Sequence, residues 1–315
     1  MPITLEQARA LSQSRLTNFV IDEFRTSPLL DLLTFDNTVK PQGGKSLAYV
    51  YNRVTTPAGA APREINKEYT PSEAKTTQKI VNLVPFGGSF EIDRVIANDE
   101  EQVLNLVEFQ IQQKTQSTIA LFNDMFINGD SATQTGAFDG LSKALAGSDT
   151  EVTAPDTIDL SNSAAIDTNW KAFLDLLRRA RARLNGAPGI IAMNSDMFGI
   201  FQSVMDRAGI NLASKENYGD EVVQWGKALV MAMGDKPGTA NPIIDIDGGK
   251  TDIYMARLGL DAVHGVSPEG TKLVNTYLPN MKAPGAVKLG EVEMVAAMAL
   301  KASKAAGVIR GVKIA

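Results

Sequence analysis

Apolar residues recur at three- and four-residue steps through residues 99–130. Val103, Val107, Ile111, Ile119, Phe122 and Phe126 fall on one stripe, and Thr115 fills its one gap. Asn98 stands where a helix cap belongs, with Glu101 three residues on as in a capping box, and Asn128-Gly129 predicts a left-handed stop. Neither Pro nor Gly interrupts the segment, so it predicts one rod of about 28 residues, about 42 Å long. Sustained heptads with charged flanks are missing, which argues against a coiled coil. Between Gln102 and Ile127 the only charges are Glu108, Lys114 and Asp124. A freely solvated helix face carries more Glu and Lys than that. The pattern fits a strut lying across its own domain, its back covered or touched by other chains.

Ahead of it, Thr4-x-x-Gln7 opens a helix through about residue 23. Leu5, Ala8, Leu11, Leu16, Phe19, Val20 and Phe24 scatter more widely than one stripe, as in a terminal helix that docks within the subunit or on a neighbour. Ser27-Pro28 ends it, a short apolar segment follows, and Gln42-Gly43-Gly44 reads as a turn. Residues 46–54 alternate as a strand, with Leu47, Tyr49 and Tyr51 on one side and Ala48 and Val50 on the other. Strand character returns from Lys79 and again after Gly87-Gly88.

Between those strands, over residues 55–78, the only large apolar side chains are Ile65 and Tyr69. Connections of that length without a core of their own are uncommon. One reading is a loose surface loop. The other is an arm ordered by lying on another subunit, with Arg63, Glu64, Lys67, Glu68, Glu73 and Lys75 as rim contacts.

Beyond the strut, residues 129–150 are rich in turns and anchored by Phe138-Asp139-Gly140-Leu141. Asp167 or Thr168 is predicted to cap a helix through about Leu184, with Trp170, Phe173, Leu174, Leu177, Ala180 and Leu184 as its buried stripe. Arg178, Arg179, Arg181 and Arg183 near its end complement the helix dipole. A nucleic-acid patch is the sharper reading of those arginines, but no aromatic residues interleave them. A strand at GIIAMN leads through a Ser195 cap into a helix ending at Gly209. Further strands are predicted at 221–234, 242–247, 251–260 and 271–278, with a closing strand at 307–314. Helices and strands intermingle without a β-α-β rhythm, which makes the fold α+β or mixed α/β.

Composition narrows the function classes. The 315 residues suffice for one large domain or two, and no run approaches the roughly 18 apolar residues of a membrane span. The N-terminus lacks a signal-peptide pattern, so export is not expected. Absence of Cys removes disulfides, thiolate catalysis and Cys-based metal sites. A net charge of -5 argues against gripping nucleic acid, although an acidic wall can still enclose it.

The search for chemistry yields no active site. Gly249-Lys250-Thr251 and Gly44-Lys45-Ser46 end like phosphate loops, but Ile244 and Val39 stand where the first Gly is needed. The one histidine, His264, excludes a histidine-pair metal site and is expected as a hydrogen-bonded residue in packed structure. Asp245/Asp247 and Glu291/Glu293 each place two carboxylates on one side of a strand, where acid–base work or cation binding competes with simple solvation. No catalytic residue, cofactor or metal is expected.

One resemblance covers essentially the whole chain. The PLLDLL segment precedes a strand at Ser46-Leu47-Ala48-Tyr49, the long excursion, and a return through Phe90-Glu91-Ile92. The strut then closes in Phe126-Ile127-Asn128-Gly129-Asp130, with Phe138-Asp139-Gly140-Leu141 shortly after. Asp252–Arg257 later runs into Gly259 and Val263-His264-Gly265-Val266. In this order the chain resembles the major capsid proteins of tailed bacteriophages, whose fold encapsulin shells share. The resemblance implies an N-terminal arm (1–40), strands with an extended loop (45–92, loop 54–79), a peripheral domain with a spine helix at 99–128 (93–154 and 249–290), and an axial domain (155–248 and 291–315). It implies hexamers and pentamers closing an icosahedral shell around double-stranded DNA in the virion, assembled in the bacterial cytoplasm through procapsid maturation. Its partners would be copies of itself, a portal protein and any separate scaffolding or decoration proteins, with no membrane. Some members carry a scaffolding segment ahead of the arm; here it is expected to be absent, separate or removed. Some cross-link Lys to Asn, but nothing selects a pair among Lys67, Lys75, Lys79, Asn275 and Asn280, and none is predicted. A flat wall tile has less interior than a free globule, so interfaces must supply burial. The alternatives are an encapsulin-type nanocompartment and, from another class, a cytosolic enzyme using the paired carboxylates.

Overall fold

The computed structural model describes residues 28–39, 47–95, 100–210, 212–217, 220–270 and 272–315. The helix predicted over 4–23, the Gln42-Gly43-Gly44 turn and the Asn98 cap lie outside these residues. The chain runs through α1 (Leu29–Leu32), β1 (Phe35–Val39), β2 (Ala48–Thr56), β3 (Lys75–Asn82) and β4 (Val84–Asp93) into the long α2 (Glu100–Asn128). There follow α3 (Leu141–Leu145), β5 (Glu151–Thr153), α4 (Ser163–Ala182), β6 (Ile190–Met193) and α5 (Ser195–Arg207). Then come β7 (Ala213–Asn217), β8 (Asp220–Trp225), β9 (Ala228–Ala232), β10 (Lys250–Ala256), β11 (Val263–Pro268) and β12 (Val274–Tyr277), with β13 (Val287–Leu300) and β14 (Ala306–Lys313) last.

The architecture is α+β. One five-stranded sheet orders β1-β11-β13-β12, with β4 also paired to β13; a seven-stranded sheet orders β5-β14-β10-β6-β9-β8-β7. β2 and β3 form a separate two-stranded ribbon. The seven-stranded sheet separates two cores, and its central strands show why they are apolar on both sides. Ile191, Met193, Val230, Ile253, Met255 and Ile309 pack with the buried faces of α4 and α5. Their neighbours Ile190, Ala192, Met231, Tyr254, Ala256 and Val308 join Phe122 and Phe126 of α2 and the buried residues of the five-stranded sheet. Continuous apolar runs such as IIAM are what a strand covered on both faces requires.

α2 is the strut the periodicity predicted. Its second half sits in the core, where Phe122 meets Phe35, Phe86, Phe126 and Phe138 at ring separations of 5.8, 6.3, 6.3 and 5.8 Å. Val107 and Ile111 pack on Phe90 and Ile92 of β4. The buried stripe is rotated slightly from the expected one: Thr118 is buried and Ile119 only half-buried. The Thr118 hydroxyl donates to the Lys114 carbonyl at 2.7 Å, which satisfies it inside the helix.

Several local expectations are corrected. Gly129 ends α2 without a left-handed φ. It is needed because a Cβ there would stand 2.3 Å from the Phe138 carbonyl oxygen. Gly87-Gly88 lies inside β4 rather than between strands, since a Cβ on Gly87 would stand 2.0 Å from the Val292 carbonyl oxygen of β13. α4 begins at Ser163, capped by Asn162, whose side chain accepts from the Ala165 amide at 2.9 Å. Asp167 and Thr168 are already in its first turns, bound to Arg207 and the Ala164 carbonyl. Asn194, not Ser195, caps α5: its side chain accepts from the Asp196 amide and donates to the Ile244 carbonyl. Residues 242–247 form no strand, because the turn at 236–241 holds Ile243 and Ile244 inward from a loop.

Candidate inter-subunit surface

The predicted excursion is a ribbon with a separate tip. β2 and β3 pair antiparallel from Ala48–Asn82 out to Thr56–Lys75, with a bulge between Val54 and Thr56. Cross-strand partners share a face, so Tyr49, Tyr51 and Arg53 lie on one side with Val81, Lys79 and Thr77. Val50, Ile80, Val54 and Thr76 lie on the other. At the root the first face is fastened to the body. The Tyr51 hydroxyl donates to the Leu300 carbonyl at 2.8 Å, and Arg53 donates to the carbonyls of Leu300 and Lys301. The Tyr49 hydroxyl donates to Asp36 at 2.8 Å. Burial, then this carboxylate, pushes the Tyr49 phenol upward; burial also pushes the Asp36 carboxyl up, but the Tyr49 hydroxyl outweighs it and holds Asp36 below its ordinary range.

Beyond the root, every position from 54 through 80 is exposed. The tip is ordered only by contacts to itself. Lys67 pairs with Glu64 at 2.5 Å, Arg63 covers the Tyr69 ring at 5.3 Å, Asn66 takes a φ of 66°, and Ser72 accepts from the Gly59 amide. The structure thus brings Arg63, Glu64 and Lys67 together at the tip. Glu68, Glu73 and Lys75 are exposed beside them without an ion-pair partner among the described residues. Ile65 is 90% exposed and Tyr69 64%. The sequence reading missed the Tyr51 and Arg53 anchors, whose only signal was an Arg and two Tyr on a strand otherwise facing nothing apolar.

The other chemical candidates resolve into structure. His264 is fully buried, edge-on to Tyr49 at 5.7 Å, and its ring nitrogens make no hydrogen bond, contrary to the expected bonded histidine. Burial and then Lys301 lower its pKa, which keeps the ring neutral and lets it pack as an aromatic. Asp245 and Asp247 are exposed in a loop beside an open groove, and Lys236 holds Asp245 at 2.9 Å. Glu291 and Glu293 do share one side of β13, facing outward. Among the described residues no group of His, Asp and Glu could hold a metal ion, and no helix is long and apolar enough to cross a membrane. A hub that the sequence hid ties the body together. Arg310 donates to Glu151, Asp252, the Tyr254 hydroxyl and both oxygens of Ser142, at 2.7 to 3.0 Å.

No family model matches the chain, and no curated protein matches it in sequence. Solved structures do match in fold. The holo-SrpI encapsulin complex from Synechococcus elongatus superimposes with a TM-score of 0.61 at 15% identity, over 98% of this chain and 96% of that one. The capsid of Myoviridae phage XM1 gives 0.59 at 12% identity, over 96% and 98%. The capsid of an empty GTA particle gives 0.62 at 13% identity, over 99% and 98%. Coverage is end to end in each case, and further phage structures, from Gordonia and Mycobacterium phages, match likewise. The chain has the major-capsid fold of tailed bacteriophages, which encapsulin shells share.

Proposed function

We propose that this chain is the major capsid protein of a tailed bacteriophage, assembling as hexamers and pentamers into an icosahedral shell around double-stranded DNA. Assembly takes place in the host bacterial cytoplasm, and the protein ends in the virion capsid. The observation that carries this reading is the ribbon: a segment exposed from 54 through 80, on a fold otherwise found in capsids and an encapsulin. Such a limb buries nothing in its own chain and gains burial by lying over a neighbour, with Arg63, Glu64, Lys67, Glu68, Glu73 and Lys75 at the rim of that contact. On this reading α2 is the spine of a peripheral domain containing the five-stranded sheet. The axial domain is the seven-stranded sheet with α4 and α5. The boundaries drawn on the sequence at 248 and 291 then move, since β10 pairs within the seven-stranded sheet and β13 within the five-stranded one. The protein acts by assembly, with a portal protein and any scaffolding or decoration protein as further partners.

The encapsulin likeness is as close as the capsid ones, so a protein nanocompartment is the second reading. Electron microscopy and the ratio of nucleic-acid to protein absorbance of purified particles decide between them. Shells with DNA, or empty procapsid-like shells, support the capsid; enclosed protein supports the compartment. A small soluble oligomer on gel filtration would refute both and return the question to an enzyme using its paired carboxylates.

A further inference from the structure

We propose that the outer face of the five-stranded sheet, at β4, β13 and β12, is the surface on which the ribbon of a second copy lies, with Lys75 and Lys79 set against its carboxylates. This rests on the shell reading above and names the receiving surface.

The register defines that face. Val287 stands opposite Asp93, Leu289 opposite Glu91, Glu291 opposite Tyr277, and Glu293 opposite Asn275. The alternate positions of β13, from Lys288 to Met294, turn inward and are buried. What remains outside is a patch with Val287, Leu289 and Tyr277 exposed among four carboxylates, Glu91, Asp93, Glu291 and Glu293. Among the described residues none of the four has an ion-pair partner. Like charges at alternate positions of one strand lie about 7 Å apart and repel. Exposed apolar side chains between them mark an interaction surface rather than a solvated one.

The ribbon is the complement. Its two arms, 47–56 and 74–82, contain no acidic residue, but carry Arg53, Lys75 and Lys79. Arg53 is occupied with its own Leu300 and Lys301 carbonyls. Alternation along β3 puts Lys75 and Lys79 on the same side as each other, and both lie in the stretch exposed from 54 through 80. Neither has an ion-pair partner among the described residues. An acid-free basic limb and a cation-free acidic face within one chain fit a contact between two copies.

The test is charge exchange in the full chain, read as the fraction of protein sedimenting as particles. E291K/E293K and K75E/K79E should each lower that fraction about tenfold, and the two together should restore it to within about threefold of the unaltered chain. Melting curves of unassembled chain check folding. If the reversed chain does not fold, E291Q/E293Q replaces it and should weaken assembly while flattening its salt dependence. Unchanged assembly in the reversals or in E291Q/E293Q, or reversals that damage it without mutual rescue, would overturn the pairing and leave the shell reading intact. An unaltered chain that forms no particle would remove the shell reading, and this pairing with it.

Discussion

Ile65→Ser separates the two places in which the ribbon tip has a role. In the single chain Ile65 is 90% exposed. Full burial of such a side chain stabilises by about 1.5–3 kcal/mol, so the tenth that is hidden contributes about 0.3 kcal/mol at most. The turn around it does not depend on the side chain, since the Lys67 amide donates to the Glu64 carbonyl from the backbone. Calorimetry of unassembled protein should therefore show a melting temperature shifted by less than about 1 °C. If the tip is buried on a neighbour, the substitution costs assembly about 1.5–3 kcal/mol per contact, which is about ten- to 150-fold in the association constant. Light scattering against protein concentration should show the assembly threshold raised about tenfold or more. A fall of several degrees in melting temperature would place Ile65 on its own chain. An unchanged threshold would leave the tip in solvent within the shell. Either result refutes the reasoning.

Phe122→Ala should behave oppositely, removing the ring on which Phe35, Phe86, Phe126 and Phe138 converge and costing about 3–5 kcal/mol in denaturant unfolding of unassembled chain. Gly129→Ala should cost about 1–3 kcal/mol by the same measurement, because its Cβ would drive the Phe138 and Met125 carbonyls away from the helix end. Arg310→Met should cost about 2 kcal/mol, as it strips hydrogen bonds from Glu151, Asp252 and Ser142 while leaving two carboxylates side by side. It should also blunt acid sensitivity. Glu151 is held below its ordinary 4.5 first by the Gly147 amide and then by Arg310, so its contribution is present above that pH and lost as pH falls through the lowered value. Melting temperature against pH between about 6 and 3 should fall less steeply in the variant than in the native chain, though not become flat.

Legibility of the fold followed the kind of physics each element rests on. The strut, the strands at 48–56 and 306–313 and the helix ending at Gly209 were read because local periodicity and turn chemistry specify them. Gly129 and Gly87 were assigned to the wrong device. Both are glycines because another backbone passes within contact distance, and the sequence does not carry that distance. The caps of α4 and α5 were misplaced because several Asn, Asp, Ser and Thr residues stand together, and only packing chooses among them. Residues 242–247 have a strand's composition, but their two isoleucines are pulled inward from a loop. Of the candidate surface, the weakly apolar stretch at 55–78 announced the exposed limb. Its root did not, since Arg53 binds carbonyls nearly 250 residues away in sequence.

The ribbon also poses a problem that its residues address. A two-stranded hairpin is marginal by itself, and its two edges offer unpaired amides and carbonyls to any strand nearby. The chain answers the first difficulty at the root, where Tyr51 and Arg53 fix β2 to the end of β13. It limits the second with a bulge at Val54–Thr56 and with lysines at both ends of the exposed part of β3. The face bearing Val50, Ile80 and Val54 remains apolar but broken by Asn52, Gln78 and Thr76, enough to reward a specific neighbour and little enough to resist indiscriminate stacking. That balance suits a limb held in readiness for one shaped partner. It makes poor sense for a loop whose only surroundings are water, where the same positions would gain from charge.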